Sequence, residues 1–249
     1  MLNRALKLHG SHPHLHSKLL IHWTGRKQAN PARRAINPRL REKYVDLLEE
    51  ICQKGLYMNP GEETIHGVND AWIKAKISRI CFTEVRLSQA ERHARQYGSL
   101  GIGFSREFVM EREGNPVFYV QSGGKGHVAE HLASVESYLK KANKQEWEAL
   151  QTVLGYLKNM SQRNSTDLQY YEEMEWRVVH LERLEREGYI IPDDKQRGLF
   201  RLTFEPDDVK ILIFPDRKTQ KSALKNPTIA RFFNKDFPMV ATLDECKNF

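Results

Sequence analysis

The sequence predicts an α+β fold: a single domain with a central, mainly antiparallel sheet, flanking helices and a helical insertion at about residues 124–160. Two observations predict it. Short apolar runs of strand length recur along the chain, and turns or brief helical segments separate them without a regular alternation of strand and long helix. Elsewhere, apolar residues recur at helical spacing. The chain has 249 residues, of which 40% are hydrophobic, and this is enough to bury one such core.

Seven segments have the composition and length of strands. They are residues 19–23, 77–83, 100–104, 116–120, 175–181, 199–204 and 209–214. Between the first two, Tyr44, Leu47, Leu48 and Ile51 follow helical spacing and predict a helix from Lys43 that Gly55 ends.

Further helices are expected after several of these strands. Ser88 is placed to cap a helix that runs toward Tyr97 and Gly98, and a short helical segment is expected over 105–112. Two helices are predicted in the insertion, the second over 146–158, and more around 216–234.

The positive charge is concentrated at the N-terminus. The chain as a whole carries +7, but residues 1–43 hold ten basic side chains and one acid, a local charge of +9. We interpret residues 1–17 as a flexible arm and 26–41, with two Asn-Pro pairs, as a basic loop. Arg33, Arg34, Arg39 and Arg41 are the predicted contacts to nucleic acid or to an acidic partner. A basic leader that only keeps the protein in solution is the alternative.

The remaining composition favours a cytoplasmic protein. Cys52, Cys81 and Cys246 are far apart and odd in number, so they indicate neither a disulfide framework nor a cysteine zinc site. No stretch approaches the ~20 apolar residues that span a bilayer, and the N-terminus lacks a signal-peptide core. We therefore expect no membrane contact.

One segment matches a metal-binding pattern. Residues 127–131 read H-x-x-E-H, which could supply two zinc ligands and a general base to a hydrolase. The pattern also arises by chance in an amphipathic helix. We predict no metal: Val128, Leu132 and Val135 should face the core, with His127 and His131 at its polar margin. His12, His14 and His16 lie in the arm, which is a poor place for a preorganised site.

A nucleotide site is suggested at the end of the first strand. His22 and Thr24 point to the same face of a strand, about 7 Å apart. Such a pair could hold ribose hydroxyls while Arg26 meets a phosphate. The alternative is a hydrogen-bonded interior histidine without a ligand.

Two further patterns could serve function or structure alone. Gly98, Gly101 and Gly103 permit close backbone approach, but their order is not that of a dinucleotide-binding loop, which favours tight turns without a ligand. Glu172, Glu173 and Glu175 enter a strand, where one carboxylate could face a reacting centre. A surface Glu–Arg pair with Arg177 is the alternative.

Several motifs follow one another over about residues 19–214. They are His22-Trp-Thr24, Ile51-x-x-x-Gly55-Leu56, Cys81-Phe82-Thr83-Glu84 with His93, Tyr97-Gly98-x-x-Gly101-Ile102-Gly103-Phe104, Asn115-Pro116-Val117-x-Tyr119 and Glu173-x-Glu175-Trp176-Arg177. In this order they resemble the AbiGi-like abortive phage resistance family. The resemblance implies a bacterial phage-defence protein, the antitoxin half of a two-gene abortive-infection system. It also implies a cognate toxin as a possible partner.

The chain is similar, more weakly, to the ADP-ribosyltransferase plan of nucleic-acid-modifying toxins. That resemblance implies NAD as cofactor, with His22 and Thr24 at the nicotinamide ribose and Arg26 at a phosphate. Glu175 and His22 would be the catalytic residues, and Glu175 would either polarise the acceptor or stabilise an oxocarbenium-like transition state. The loop 57–77 lacks a recognisable aromatic residue to stack on nicotinamide, so Tyr97 and Phe104 are the candidates. A non-catalytic antitoxin or regulator that binds nucleic acid or a toxin remains the alternative.

Overall fold

The computed structural model describes residues 19–26, 36–66, 72–84, 86–121, 127–139, 141, 144–159, 173–233 and 238–248. Within these ranges the strands are β1 (Leu19–Thr24), β2 (Leu56–Met58), β3 (Glu62–His66), β4 (Trp72–Lys76), β5 (Arg79–Thr83), β6 (Leu100–Ser105), β7 (Asn115–Pro116), β8 (Phe118–Val120), β9 (Leu157–Asn159), β10 (Glu175–Val179), β11 (Ile190–Pro192), β12 (Phe200–Leu202), β13 (Val209–Phe214) and β14 (Met239–Thr242). The helices are α1 (Pro38–Lys54), α2 (Ala90–Tyr97), α3 (Arg106–Glu111), α4 (His127–Leu139), α5 (Lys144–Leu154), α6 (Glu182–Arg186), α7 (Arg217–Lys225) and α8 (Pro227–Phe232).

A seven-stranded sheet in the order β14-β13-β6-β1-β5-β10-β7 forms the centre of the fold. Every neighbouring pair is antiparallel except β13 and β14. Smaller sheets join β11, β12 and β2, the hairpin β3-β4, and the parallel pair β8-β9. The predicted α+β fold with a mainly antiparallel central sheet is therefore confirmed.

Apolar side chains cover both faces of this sheet. Leu20, Phe82 and Val178 belong to the larger core, which α1, α3 and α8 complete. Ile21 and Trp23 alternate with Leu20 along β1 and belong to a second core on the opposite face, beneath α2. A third cluster joins the insertion helices α4 and α5 to β3, β8 and β9.

The first helix begins earlier than predicted. Asn37 and Pro38 were expected to oppose helix, but Asn37 is the N-cap: its Oδ1 accepts from the Leu40 amide at 2.8 Å. Pro38 occupies the first helical position, where its missing N–H costs nothing. Arg39 and Arg41 therefore lie on α1 and not on a loop. The predicted C-cap at Gly55 is confirmed, with φ of 86°.

Two other helix predictions need correction. Ser88 does not cap α2, because a 3-10 turn over Leu87–Gln89 leads into it and no side chain caps its first turn. In α4, Val128 and Val135 are about half exposed, while Ala129 is fully buried and Leu132 packs beside it. The buried face of α4 therefore includes Ala129, and not Val128 or Val135, which the predicted apolar face contained. The small side chain of Ala129 allows α4 to pack closely against its neighbours.

Several strands were not predicted. The segment 57–77, expected to be a loop, contains most of β2 together with the hairpin β3-β4. β11 and β14 were also missed. Residues 1–17 and most of the predicted basic loop lie outside the described residues. Within the described part of the chain, no helix combines the length and apolar character needed to cross a membrane.

Candidate functional site

The central sheet opens between β1 and β5. β1 pairs with β6 along its whole length, but it pairs with β5 only through Ile21 and Thr83. Next to that pair, side chains replace backbone hydrogen bonds. His22 Nδ1 lies 2.9 Å from the Cys81 carbonyl oxygen, and Trp23 Nε1 donates to Thr83 Oγ1 at 3.0 Å.

A cavity of about 480 Å³ lies at this opening. Its walls come from β1, β3, β5, α2, β9 and β10, together with residues next to them in the chain. The register of β10 on β5 pairs Glu175 with Thr83 and Arg177 with Cys81, so these side chains share one face of the sheet. A single cavity thus collects polar groups from six elements.

Glu175 forms hydrogen bonds through both carboxylate oxygens and through its backbone amide, and it is only 3% exposed. Its Oε1 accepts from Arg177 Nε at 2.6 Å, and its Oε2 accepts from Lys158 Nζ. Its backbone amide donates to the Tyr119 hydroxyl at 2.9 Å. The start of β10 is therefore fixed by Arg177 of the same strand and by Lys158 and Tyr119 from two other strands.

Glu173 is a second buried carboxylate that shares Lys158 with Glu175. Lys158 Nζ donates to Glu173 Oε2 at 2.6 Å, and the Tyr97 hydroxyl donates to Glu173 Oε1. Glu173 is 2% exposed and Lys158 is 7% exposed. One ammonium group therefore bridges two carboxylates that are two residues apart in the chain.

Arg177 connects this cluster to the insertion and to the β3 hairpin. Its Nη1 donates to the carbonyls of Gly155 and Leu157 at 2.8 and 2.9 Å. Its Nη2 donates to Glu63 Oε2 at 3.1 Å, and Arg79 donates to the same oxygen at 3.2 Å. Arg177 is only 1% exposed, so protein oxygen atoms replace water as hydrogen-bond acceptors around it. The planar guanidinium group is well shaped to donate to several such acceptors at once.

The surroundings of the two carboxylates shift their pKa values in opposite directions. Burial alone would raise the pKa of Glu175, but the charges of Arg177 and Lys158 outweigh it and hold that pKa below its usual range. For Glu173, burial dominates and raises the pKa, since Lys158 and Tyr97 offset it only in part. Glu175 is therefore the ionised member of the pair, and Glu173 is the member closer to taking up a proton.

His22 and Cys81 have defined protonation states. Burial lowers the pKa of His22 despite its backbone hydrogen bond, so the ring is neutral. A carbonyl can only accept, so the proton is on Nδ1 and Nε2 is an acceptor. Burial, followed by the charge of Glu175, raises the pKa of the Cys81 thiol to about 12, which makes it a poor nucleophile.

Charges on the cavity wall largely cancel. Arg79, Lys158 and Arg177 each contact one or more of the buried or half-buried carboxylates described above. Arg26 differs: it is exposed and has no hydrogen-bond or ion-pair partner among the described residues. It is therefore the cation of the cavity that is available to an incoming anion.

The structure brings together four of the six predicted cofactor and catalytic residues. His22, Arg26, Tyr97 and Glu175 line the cavity. By strand alternation His22 lies on the Phe82 side of the sheet, with ring centroids 6.0 Å apart, and Glu175 lies on the other side. Both residues nevertheless line the cavity, where β1 pairs with β5 only through Ile21 and Thr83.

Thr24 and Phe104 are not brought to the cavity. Thr24 pairs with Leu100 at the end of β1 and is not part of the cavity wall. Phe104 is fully buried in the larger core, where it stacks on Phe108 at 4.4 Å. Alternation along β6 directs Phe104 into the α3 side, so it is a core residue and is unavailable to a nicotinamide ring.

The sequence analysis missed Lys158, Arg177 and Glu63 as residues of the cavity wall. Lys158 was placed in the second insertion helix, although it lies on β9. Arg177 was considered only as a surface partner of the nearby glutamates. The one available signal was a charged residue flanked by apolar ones in a strand, Trp176-Arg177-Val178, which is typical of a buried ion pair.

The glycines 98, 101 and 103 serve close packing. A Cβ at Gly98, whose φ is 116°, would lie 2.2 Å from the Thr24 carbonyl oxygen. At Gly103 it would lie 2.4 Å from Ile211 Cγ2. Gly98 ends α2, but Gly101 and Gly103 lie within β6, so the predicted tight turns do not describe those two positions.

The predicted nucleic-acid contacts fall in different environments. Arg33 and Arg34 lie outside the described residues. Arg39 is exposed near the start of α1. Arg41 is half-buried, donates to the Ile36 carbonyl at 3.4 Å and lies 3.9 Å from Asp216, which makes it a helix-packing residue.

The H-x-x-E-H segment forms the first turns of α4. His127 and His131 are exposed, and His127 Nδ1 lies 3.7 Å from Glu130. Within the described ranges, no group of three or more His, Cys, Asp or Glu side chains is arranged to hold a metal ion. His12, His14 and His16 lie outside those ranges.

Comparison with known proteins gives one family and one solved structure. No curated protein sequence matches the chain. The solved structure "Thermus sp. 2.9 DarT in complex with NAD+" is 12% identical and covers 90% of this chain and 94% of its own, with a TM-score of 0.36. A likeness at that level carries no argument about this site.

Residues 62–215 match the sequence profile described as "Putative abortive phage resistance protein AbiGi, antitoxin". That match spans more than half of the chain, including β3, β5, β9 and β10 of the cavity wall, and the chain therefore belongs to the AbiGi family of abortive phage resistance proteins.

Proposed function

We propose that this phage-resistance protein binds a nucleotide of the NAD type in the cavity between β1 and β5 and transfers its ADP-ribose unit to an acceptor nucleophile. The observation that supports this best is convergence. His22, Arg26, Tyr97 and Glu175 come from three separate parts of the chain, namely β1 with the turn after it, α2 and β10, and line one cavity of about 480 Å³. Small-molecule sites are commonly cavities of roughly 300–1,000 Å³ with a few convergent polar groups.

Each of the binding residues offers chemistry that suits part of such a nucleotide. The neutral His22 ring has Nε2 as an acceptor, which suits a ribose hydroxyl, because Nδ1 already donates to Cys81. Arg26 is exposed and unpaired among the described residues, which suits a pyrophosphate oxygen. Tyr97 adds aromatic surface beside Glu173 for a planar ring.

The opposite directions of the two pKa shifts support separate roles for Glu175 and Glu173 in ribosyl transfer. Glu175 stays ionised and would stabilise the positive charge that develops at the ribose C1′ as its bond to the nicotinamide nitrogen breaks. The electron pair of that bond leaves with nicotinamide. The acceptor's lone pair then forms the new bond to C1′, and Glu173, whose pKa is raised, would take the proton that the acceptor loses.

Binding is tested by calorimetry with NAD on the full chain. Arg26→Gln should weaken binding by about ten-fold, the effect of losing one exposed charge-assisted contact of roughly 1.4 kcal/mol. Arg86→Gln removes a similarly exposed arginine that is not part of the cavity wall and should leave the affinity unchanged. No heat of binding with the wild-type protein would contradict the proposal.

Transfer is tested by chromatographic detection of free nicotinamide in the presence of an extract that contains acceptors. Glu175→Gln should abolish release, whereas Glu62→Gln, a carboxylate at the same cavity paired with Lys74 at 3.4 Å, should not. Glu175→Gln also removes a partner of two buried cations, so its thermal melting must show that it is folded under the assay conditions. Release that is equal in both variants would exclude Glu175 from catalysis.

A non-catalytic antitoxin is the second candidate, and one specific observation favours it. Both oxygens of Glu175 already contact cations, Arg177 and Lys158, so the charge is largely neutralised before any ligand binds. Such a protein would bind NAD, or a toxin, and release no nicotinamide. Co-expression with the neighbouring gene decides this: protection from that gene's toxicity that is equal in wild type and Glu175→Gln would support the antitoxin.

A further inference from the structure

Three lysines form a row on the exposed face of α7. Lys218, Lys221 and Lys225 follow the spacing i, i+3, i+7, and all three are exposed. None of them has a hydrogen bond or ion pair with another residue in the described part of the chain. Residues 217–232, which cover α7 and α8, contain five basic side chains and no acidic one. We call Lys218, Lys221 and Lys225 the α7 lysine face.

Two exposed arginines on other helices are paired with carboxylates. Arg95 of α2 donates to Glu91 at 2.7 Å, and Arg183 of α6 contacts both Glu187 and Glu113. An i,i+4 pair of this kind stabilises a helix by a few tenths of a kcal/mol. On α7, Arg217 lies 3.3 Å from Glu245, but the three lysines have no such pair with any described residue, so the repulsion between them is left uncompensated.

Acidic residues are available on the adjacent helix but do not reach the lysines. α1 lies alongside α7, with Arg41 3.9 Å from Asp216 near the starts of both helices, and Asn226 donating to Glu49 at 2.9 Å after the end of α7. Glu49 is thus already bonded. The lysines point away from this contact, since Thr219, Gln220 and Ala223 form the buried side of α7.

We propose that the α7 lysine face binds the phosphate backbone of double-stranded nucleic acid without reading its base sequence. The row spans about 10 Å, seven residues at 1.5 Å each, which is long enough to follow three successive phosphates, since these extend over about 7 Å at the 3.4 Å rise of one strand. Released counterions then supply the free energy that the unpaired lysines do not obtain from the fold.

The composition of the face selects this partner over others. Ser222 is the one exposed residue between the lysines, so the face has no apolar side chain to insert into a membrane and none to form the centre of a protein interface. It has no aromatic residue either, and stacking on unpaired bases is what single-strand sites use. The backbone of a duplex needs neither.

Fluorescence anisotropy with a labelled 20-base-pair duplex of mixed sequence tests the proposal on the full chain. The triple variant Lys218→Gln/Lys221→Gln/Lys225→Gln is compared with Arg186→Gln/Lys195→Gln/Arg197→Gln, which removes three exposed cations from α6 and the loop before β12. Three lost phosphate contacts should reduce the slope of log affinity against log salt by about 2.7. Between 50 and 200 mM salt, the wild type should therefore lose about 40-fold more affinity than the α7 variant does.

The control triple variant should keep the wild-type slope, and both variants should melt at the wild-type temperature because all six side chains are exposed. Equal slopes for the two variants would overturn the proposal, as would absence of wild-type binding to the duplex at 50 mM salt. Binding confined to single strands, or to vesicles that contain phosphatidylserine, would overturn it too. NAD affinity should be unchanged in the α7 variant, so this result and the test of the cavity are independent.

Discussion

His93 on α2 makes the stability of this protein depend on pH. The side chain is 1% exposed, and its Nδ1 has no hydrogen-bond partner among the described residues. Burial, and then the charge of Arg92, lower the pKa of His93 to about 4. The ring therefore stays neutral in the folded protein under conditions in which the unfolded chain takes up a proton at this position.

The size and sign of the effect follow from that difference. A neutral folded-state ring contributes fully above the unfolded pKa of about 6.5, and its contribution is lost as the pH falls toward 4. Each pKa unit corresponds to about 1.36 kcal/mol. At pH 5, the unfolded state is favoured by about 2 kcal/mol through this residue alone, and below pH 4 the loss approaches roughly 3.4 kcal/mol.

Urea unfolding at pH 7 and pH 5 measures this loss. The wild type should lose about 2 kcal/mol more than His93→Leu between the two pH values, since leucine cannot take up a proton. Any change that leucine causes at both pH values cancels in the comparison. His127→Leu is the control, because that histidine is exposed on α4 and should keep the wild-type loss. A parallel loss in wild type and His93→Leu would refute the reasoning.

Three further substitutions test the packing and the charge network. Gly98→Ala should cost well over 1 kcal/mol more than Gly188→Ala, because both glycines have positive φ but only a Cβ at Gly98 meets backbone atoms; equal urea midpoints would contradict this. Lys158→Met should destabilise the fold by roughly 3–5 kcal/mol at pH 7, because it leaves the two carboxylates that Lys158 bridges without their common cation. The loss of stability should be smaller at pH 5, where these carboxylates take up protons. Chemical unfolding at both pH values measures the difference. Asn226→Ala should cost about 1–2 kcal/mol in the same assay, since Asn226 caps α8 and also donates to α1; a loss below 0.5 kcal/mol, about the surface background, would exclude the cap.

Local pattern was enough to predict most of the central sheet. β13 spans the predicted residues 209–214, and β6 begins at the predicted Leu100. Both strands consist mainly of apolar residues and are buried on both faces of the sheet. A short, continuous apolar run of this kind is typical of a buried strand. The helical spacing of Tyr44, Leu48 and Ile51 was equally decisive, since all three are buried in the core.

Local pattern failed where a distant contact determines the conformation. Asn37-Pro38 has the composition of a turn, and it starts a helix because a 17-residue amphipathic segment follows it and packs on the sheet. The hairpin β3-β4 is short and charged, and Glu63 from it accepts from both Arg79 and Arg177. Arg79 follows the hairpin closely in the sequence, but Arg177 is 114 residues away from Glu63.

The cavity shows why residue identity predicted its members better than its chemistry. His22, Arg26 and Glu175 were identified from their types and positions at strand ends, and all three line the cavity. The state of Glu175, however, depends on Lys158, which an unremarkable part of the insertion supplies. A carboxylate's charge balance is a sum over all neighbours in space, and spacing along the chain contains little of that information.

The insertion therefore belongs to the electrostatics of the cavity as well as to the fold. Arg177 donates to the carbonyls of Gly155 and Leu157, and the next residue on β9 is Lys158. This short stretch of the insertion therefore holds the Arg177 guanidinium in place and also supplies the Lys158 ammonium group. The same stretch packs through Leu157 against Ile65 of the β3 hairpin. Any displacement of α4 and α5 that moves β9 would take Lys158 from both glutamates at once. Because the two carboxylates would then share a buried site without their common cation, proton uptake at Glu173 and Glu175 would accompany that movement.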